Sequence, residues 1–458
     1  MKKSLIDKLP QIAIAIVLLS YIIIDHNLGL WKESNRVIEH DVRHYYGYLP
    51  LVFIYDDIKI EGQYSASEGI HIWHKKTPEG VKIMKTTSGL AMLYSPFFLL
   101  AHAYTKHLSD FDANGYTPPY KLALLFSALF YLWLGLLALY KLLDRLSFTK
   151  ETVFLCLIVF GLGTHLLFYS TFNAGYSHVY SFTLSAVFLL FVQSWVSEQK
   201  FWKIIVLGLT LGLITLIRPT NIIIGLALVL WRKPESDWSQ HLRFLFNKKT
   251  LLHFSVIPLF ALVPLIPQMV YWHHITGSIL YYSYGEEGFF FDSPQILNGL
   301  FSFRKGWLIY TPAMTMAILG IFFMQRKVSH LRPLVLVFVL INCYIVFSWW
   351  CWWYGGSFGQ RALIDSYPVL AIPLAALIDY LLVRNTYFTK AALIILVPFF
   401  VWLNIFQSFQ YEKGSLHYDA MTRELYFKQF GKYEQVKGFY ELARSPDYDA
   451  ARRGEEDY

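Results

Sequence analysis

Cysteine is nearly absent: the 458 residues hold three, Cys156, Cys343 and Cys351, an odd number, two of them inside apolar runs. No disulfide framework and no Cys-x-x-Cys metal site follows from them. Charge is scarce too, at 16% of residues, against 55% hydrophobic and 18% aromatic, and the mean hydropathy is positive. Such a balance excludes an ordinary soluble domain and describes a polytopic membrane protein. Acids are missing from the middles of the apolar runs. Asp365 and Asp379 stand only near the ends of theirs. Ion-coupled transporters need carboxylates near the midplane and paired broken helices in inverted repeats, and neither is seen. The net charge of +8 does not imply nucleic acid, because in a membrane protein the basic residues report sidedness.

What is present is a succession of apolar runs. The first, Leu9 to Ile24, follows Met-Lys-Lys-Ser and has no small-residue cleavage site, so it reads as an uncleaved helix. Others cover 120–143, 152–172, 176–196, 203–217, 219–231, 252–273, 307–324, 331–349, 363–383 and 389–408. Arg218-Pro219 divides 203–231 into two short helices, since proline breaks the hydrogen-bond ladder and disfavours helix at the residue before it. The run 89–107 is ambiguous, and the positive-inside rule decides it. If it does not span, one side collects Lys2, Lys3, Lys8, Lys141, Arg145, Lys150, Lys200, Lys203, Arg232, Lys233, Arg243, Lys248, Lys249, Arg326, Lys327, Arg332, Arg384 and Lys390. The other side keeps only Arg218, Arg304, Lys305 and Arg361 in its short loops. The expected architecture is therefore an all-α polytopic membrane domain over 1–408 with about eleven spans and the N-terminus cytoplasmic. The loop 26–119 is extracytoplasmic, with 89–107 lying along the membrane. The tail 409–458 is charged and Tyr-rich; Thr422 to Ala443 reads as a surface helix and the segment from Arg452 as disordered.

The polar residues gather on the extracytoplasmic side, around Glu39-His-Asp-Val-Arg-His-Tyr-Tyr-Gly-Tyr-Leu-Pro50. A site on one face suits chemistry on a lipid-borne substrate whose headgroup sits at the interface. Transfer of a sugar from a polyprenyl-phosphate carrier needs a carboxylate to take the acceptor's proton and cations to hold the phosphate as charge develops. Asp41 meets the first need, with Glu39 beside it. Lys85, Arg218, Arg304 and Arg361 meet the second, arginine being shaped for bidentate phosphate contacts. Arg43, His44, Tyr45, Tyr46, His178, Trp353 and Tyr354 are placed to hold sugar or acceptor. The bland alternatives are a solvated acid at Asp41, a snorkelling lysine at Lys85, a turn at Asp56-Asp57, and an interfacial belt at Trp349, Trp350, Trp352 and Trp353. Glu39 and Asp41 are too few ligands to argue for a metal, and no cofactor is expected.

Residues 1–408 resemble the GT-C glycosyltransferases, which include the protein O-mannosyltransferases and the aminoarabinose transferases. The likeness rests on Asp41-Val-Arg-His-Tyr-Tyr after the first helix, on Lys85-Thr-Thr-Ser-Gly-Leu-Ala-Met-Leu-Tyr-Ser-Pro-Phe-Phe closing the first loop, and on Trp353-Tyr-Gly-Gly-Ser-Phe-Gly-Gln-Arg361 in a late loop. The segment Gln407 to Tyr411 is similar to members from Bacteroidetes-like bacteria. The resemblance implies a GT-C fold with juxtamembrane helices in its first loop, in a bacterial cytoplasmic membrane. It implies an inverting transfer of sugar from a polyprenyl-phosphate-linked donor to a lipid, glycan or protein acceptor on the periplasmic face, with Asp41 as base. Glu39-His-Asp41 departs from the Asp-x-Asp or Asp-Glu of many relatives, which leaves the part of Glu39 and the use of a metal open. A ligase or polymerase with a diphosphate-linked donor is the alternative, and a transporter of lipid-linked glycan is the third reading.

Overall fold

A computed structural model of the chain describes residues 5–64 and 69–455; Lys2 and Lys3, counted above for sidedness, lie outside them. The described chain is a helical bundle with one two-residue hairpin. It opens with α1 (Leu9–Leu28), α2 (His40–Tyr46) and α3 (Tyr48–Phe53). The hairpin pairs β1 (Lys75–Lys76) with β2 (Lys82–Ile83), antiparallel, and α4 (Gly89–Leu108) closes the first loop. There follow α5 (Pro118–Arg145), α6 (Lys150–Leu162), α7 (Ser177–Ser197), α8 (Phe201–Ile217), α9 (Leu226–Leu230) and α10 (Trp238–Leu245). Then come α11 (Lys248–Leu262), α12 (Ile266–Thr276), α13 (Ile296–Phe301), α14 (Trp307–Tyr310), α15 (Ala313–Phe323) and α16 (Arg332–Phe347). The last long helices are α17 (Tyr367–Arg384) and α18 (Tyr387–Glu412), and the tail carries α19 (Arg423–Gln429), α20 (Phe439–Leu442) and α21 (Tyr448–Arg452).

Among the described residues, seven helical stretches are long and apolar enough to cross a membrane, and three shorter ones, Phe201–Ile217, Pro219–Leu230 and Ala313–Arg326, are apolar as well. The chain is a multi-pass membrane protein. Its core pairs are α15 with α17, α5 with α7, α8 with α11 and α1 with α6. Small residues let such helices approach without a hydrophobic drive between them. At the α15–α17 crossing, a methyl on Gly320 would collide with the Pro373 carbonyl.

The chain turns at Arg218-Pro219 as the proline requires: α8 ends at Ile217, Arg218 is extended, and a 3-10 turn runs Pro219–Gly225. Three expectations need correction. The run 152–172 is α-helical only to Leu162. Beyond it, Asn404 of α18 donates to the carbonyls of Leu162 and Thr164, both at 2.8 Å, so the freed backbone is satisfied by a neighbouring helix. The surface helix over Thr422 to Ala443 is two short pieces, α19 and α20, because Gly431 and Gly438 take left-handed φ values of 80° and 74°. The segment from Arg452 is ordered to Glu455, where Arg452 closes α21 by pairing with Asp449 at 2.8 Å; the rest of that expectation lies outside the described residues.

The tail folds back on the bundle. Gln407 donates to the Tyr426 hydroxyl at 2.8 Å, and the Gln410 amide donates to the carbonyls of Gln429 and Lys432. The first loop, the segments 277–306 and 348–366, and the tail thus meet at one end of the bundle.

Candidate functional site

Asp41 occupies the first turn of α2. His40 before it holds a left-handed φ of 45°, the kind of local strain that a surrounding structure maintains where a side chain must be aimed. Tyr45, one turn on, shares the face of Asp41, since i and i+4 lie together on a helix. Tyr46 points the other way: it is buried at 1% exposure, its ring against Phe98 and Tyr116 and its hydroxyl on the Gly115 carbonyl.

The partner of Asp41 comes from the far end of the chain. Arg361 donates from one terminal nitrogen to the Asp41 carboxylate at 2.9 Å and from the other to the Tyr354 carbonyl at 3.1 Å, and its guanidinium lies over the Tyr176 ring. The Asp41 side chain remains 44% exposed, whereas that of Arg361 is 15% exposed. Surrounding protein desolvates the carboxyl and would raise its pKa. The charge of Arg361, then those of protonated His44 and of Lys85, and the hydrogen bond from Arg361 outweigh that effect, and the group is held below the ordinary carboxylate value. Burial pushes His44, on the same helix, down to about 4, so it is neutral at neutral pH. Burial and the Asp41 charge push the Tyr45 hydroxyl up to about 12.

Arg361 is delivered by the glycine-rich segment 353–361. Tyr354, Gly355 and Gly359 all take left-handed φ values, 58°, 63° and 56°. Gly359 can only be glycine, because a methyl there would overlap the His165 ring. Side chains from elsewhere satisfy the loop's backbone. Tyr169 accepts from the Phe358 amide at 2.9 Å, Gln360 donates to the Trp352 carbonyl at 3.0 Å, and Lys305 donates to the Ser357 carbonyl. Lys305 is 2% exposed, and burial pushes its amine down to about 7.

Arg218 sits behind this pair. It donates to Asp365 at 3.0 Å and lies over the Tyr354 ring; His178, at 3.1 Å, and Asn221, at 2.7 Å, complete the shell of Asp365. The Asp365 and His178 side chains are each 4% exposed, so this group braces the site from within. On the open side, Lys85 and Lys75 share the Glu287 carboxylate at 2.7 and 3.3 Å, and Lys85 lies over Tyr284. Arg43 lies over Trp73, whose ring meets His44 edge-on.

Of the residues singled out in the sequence, Asp41, Tyr45, His44, Lys85, Arg218, Tyr354 and Arg361 converge, with His178 one layer behind. Glu39 does not join them. It pairs with Arg36 at 3.4 Å, and Arg36 reaches Glu412 at the end of α18 at 2.8 Å, so this cluster ties the first loop to the last long helix. Arg304 lies over Trp353 in a different cavity. Trp352 and Trp353 are buried at 1% and 0%, which corrects the reading of them as an interfacial belt; with Arg304 over its ring, Trp353 supports the loop and offers no open platform to a sugar. His102 is held by the Tyr120 hydroxyl at 2.6 Å, and Asp57 accepts from the amides of Glu61 and Gly62, forming the expected turn.

Sequence reasoning gave no site role to Asp365, Asn221, Tyr284 or Glu287. Asp365 did leave a signal, an acid at the mouth of an apolar span four residues from Arg361. The donor set at Asp41 does not fit a divalent ion. Its neighbours are cations, Glu39 faces Arg36, and among the described residues no three acids, histidines or cysteines cluster.

No family model and no curated protein sequence matches the chain. Its backbone does match solved structures. The apo form of the Archaeoglobus fulgidus oligosaccharyltransferase, a GT-C superfamily enzyme, aligns over 97% of this chain and 63% of its own, with a TM-score of 0.54 and 14% identity. The chain has the GT-C fold. The same archaeal enzyme, AglB, in complex with an inhibitory peptide and a dolichol-phosphate aligns over 90% of this chain and 56% of its own, at TM-score 0.48 and 11% identity. Its complex with Zn and sulfate aligns over 86% and 52%, at 0.47 and 12%. The chain spans less than two thirds of the length of these neighbours.

Proposed function

We propose that this GT-C protein is a glycosyltransferase that moves a sugar from a polyprenyl-phosphate-linked donor to a lipid, glycan or protein acceptor at the extracytoplasmic face of a bacterial cytoplasmic membrane. The observation that carries this reading is the accessible Asp41 carboxylate held at 2.9 Å by Arg361, with Lys85 near it. It supplies a proton acceptor and two cations in one place.

In the proposed step the acceptor's nucleophilic atom attacks the anomeric carbon as the bond from that carbon to the phosphate oxygen breaks. Polyprenyl phosphate departs with the bonding electrons and the configuration inverts. Asp41, ionised because its pKa is low, takes the acceptor's proton late, when bond formation has acidified it. Arg361 and Lys85 stabilise the negative charge that grows on the leaving phosphate. Arginine has five N–H donors, so Arg361 serves phosphate and Asp41 together. Arg218, braced by Asp365, holds Tyr354 and the loop beneath.

The donor class is tested with the purified full chain in nanodiscs, radiolabelled polyprenyl-phosphate sugars and a native membrane extract as acceptor. Release of polyprenyl phosphate with sugar appearing on an acceptor supports the reading. Turnover only with a diphosphate-linked donor, releasing diphosphate, overturns it in favour of a ligase.

A further inference from the structure

At the end of the bundle opposite Asp41 the chain carries a short amphipathic helix. α8 ends beside Arg218 of the site, the apolar stretch Pro219–Leu230 leads away from it, and Lys248–Thr276 returns to the segment 277–306. Between those two stretches stands α10, started by a capping box in which Asp237 accepts from the Gln240 amide at 2.7 Å. One side of α10 is docked: His241 and Leu245 are buried, and the His241 ring meets the Val229 carbonyl at 2.8 Å. Next to that side, Trp238, Leu242 and Phe246 follow one another at four-residue spacing and stay 46%, 49% and 70% exposed. Ser239, Gln240 and Arg243, exposed as well, take the remaining face.

A row of three large apolar side chains is costly in water and favourable against lipid. The chain continues directly into α11, whose Leu252 and Leu259 are also exposed, on a stretch long and apolar enough to cross a membrane. The stripe on α10 thus leads into a lipid-facing surface. Charge selects the kind of lipid. Residues 232–249 carry five basic side chains, Arg232, Lys233, Arg243, Lys248 and Lys249, against two acids, Glu235 and Asp237. Arg232 lies over the Trp238 ring at 5.1 Å, which pairs a cation with a tryptophan of the kind that sits at headgroup level. A helix with an apolar stripe, a polar face and basic flanks lies in the plane of a bilayer surface, and basic residues near anionic headgroups add attraction. We infer that α10 lies flat in the headgroup layer of the membrane and that its basic flanks gather anionic phospholipid there. The inference is independent of the glycosyl-transfer reading, because it concerns the end of the bundle away from Asp41.

The test places a bimane label on the full chain at Leu242→Cys, in a background carrying Cys343→Ser, since Cys156 and Cys351 are buried. The labelled protein is set in phosphatidylcholine nanodiscs containing the same small fraction of either doxyl-labelled phosphatidylglycerol or doxyl-labelled phosphatidylcholine, the quencher lying near the glycerol backbone. Both lipids are expected to quench the label at 242, and phosphatidylglycerol about threefold or more strongly than phosphatidylcholine. A label at Gln240→Cys, on the polar face, is expected to be quenched less than about half as much. With Lys233→Gln, Arg243→Gln, Lys248→Gln and Lys249→Gln together, the preference for phosphatidylglycerol is expected to fall to within about 1.5-fold while quenching by phosphatidylcholine persists. A label at Phe246→Cys gives the same reading if Leu242→Cys does not fold. The inference is overturned if neither lipid quenches the stripe, as when a second copy or another protein covers it, or if the label at 240 is quenched as strongly. It is overturned equally if the two lipids quench alike with the basic residues intact, or if the preference survives their removal.

Discussion

The guanidinium of Arg361 meets the carboxylate of Asp41 at 2.9 Å across 320 positions of sequence. One group lies just after the first long helix and the other at the entrance to α17. Their pairing converts two separate polar segments into a single site.

Arg361 makes two different bonds at once, to Asp41 and to the Tyr354 carbonyl. A lysine has one nitrogen and cannot span both. Arg361→Lys is expected to lower kcat/KM by about a hundredfold or more, as removal of a preorganised cation does elsewhere. Steady-state kinetics with a polyprenyl-phosphate sugar measures it, and near-wild-type turnover would remove Arg361 from the site.

Asp365 is the shared acceptor for Arg218, His178 and Asn221, deep in the protein. Asp365→Ala leaves the Arg218 charge without its buried partner and is expected to cost about 3 kcal/mol. Asp449→Ala, which breaks the exposed pair with Arg452, is expected to change stability by less than about 0.5 kcal/mol. Thermal unfolding of the two variants in the same detergent compares them.

Glu39 and Asp41 are separated by one residue but serve different clusters. Glu39→Gln weakens the tie through Arg36 to Glu412 and is expected to lower the unfolding midpoint while kcat stays within about threefold of wild type. A large fall in kcat with an unchanged midpoint would return Glu39 to the catalytic group.

The Asp41 carboxyl is desolvated, yet Arg361, with His44 when protonated in acid and Lys85, holds its pKa below the ordinary value. A carboxyl lowered on folding contributes stability that is complete above its unfolded pKa, about 3.9, and is lost as pH falls through the lower folded value. The same ionisation governs activity. His44 is already neutral because burial brings it to about 4. The pH profile of kcat/KM is therefore expected to lack an acid limb between about pH 5 and pH 7. An inflection in that range that disappears in Asp41→Asn would contradict the assignment.

Much of this arrangement was legible in the sequence. The apolar runs marked the long helices, Pro219 marked the break after α8, and the local setting of Asp41, Lys85 and Arg361 marked a site. Pairings between distant segments were not legible. Asp365 read as an acid at a span end because its three partners lie on α7, at the end of α8 and in the turn after it. Glu39 read as a second catalytic acid because its ties run to Arg36 and, through it, to Glu412, far away in sequence. Trp353 read as interfacial because nothing local reveals that Arg304 and Tyr448 cover its ring. The GT-C resemblance, drawn from short motifs, holds at the level of backbone, where the archaeal oligosaccharyltransferase aligns over nearly the whole chain.

The central claim is that Asp41 accepts the proton of the incoming acceptor. Asp41→Asn keeps the shape of the side chain and removes its basicity. The decisive measurement compares this variant with wild type, purified in nanodiscs, for donor binding and for release of polyprenyl phosphate from a radiolabelled donor. The expected result is donor binding within about tenfold of wild type, with release at least about a thousandfold slower. Release at the wild-type rate would contradict the claim and leave Asp41 as the structural partner of Arg361.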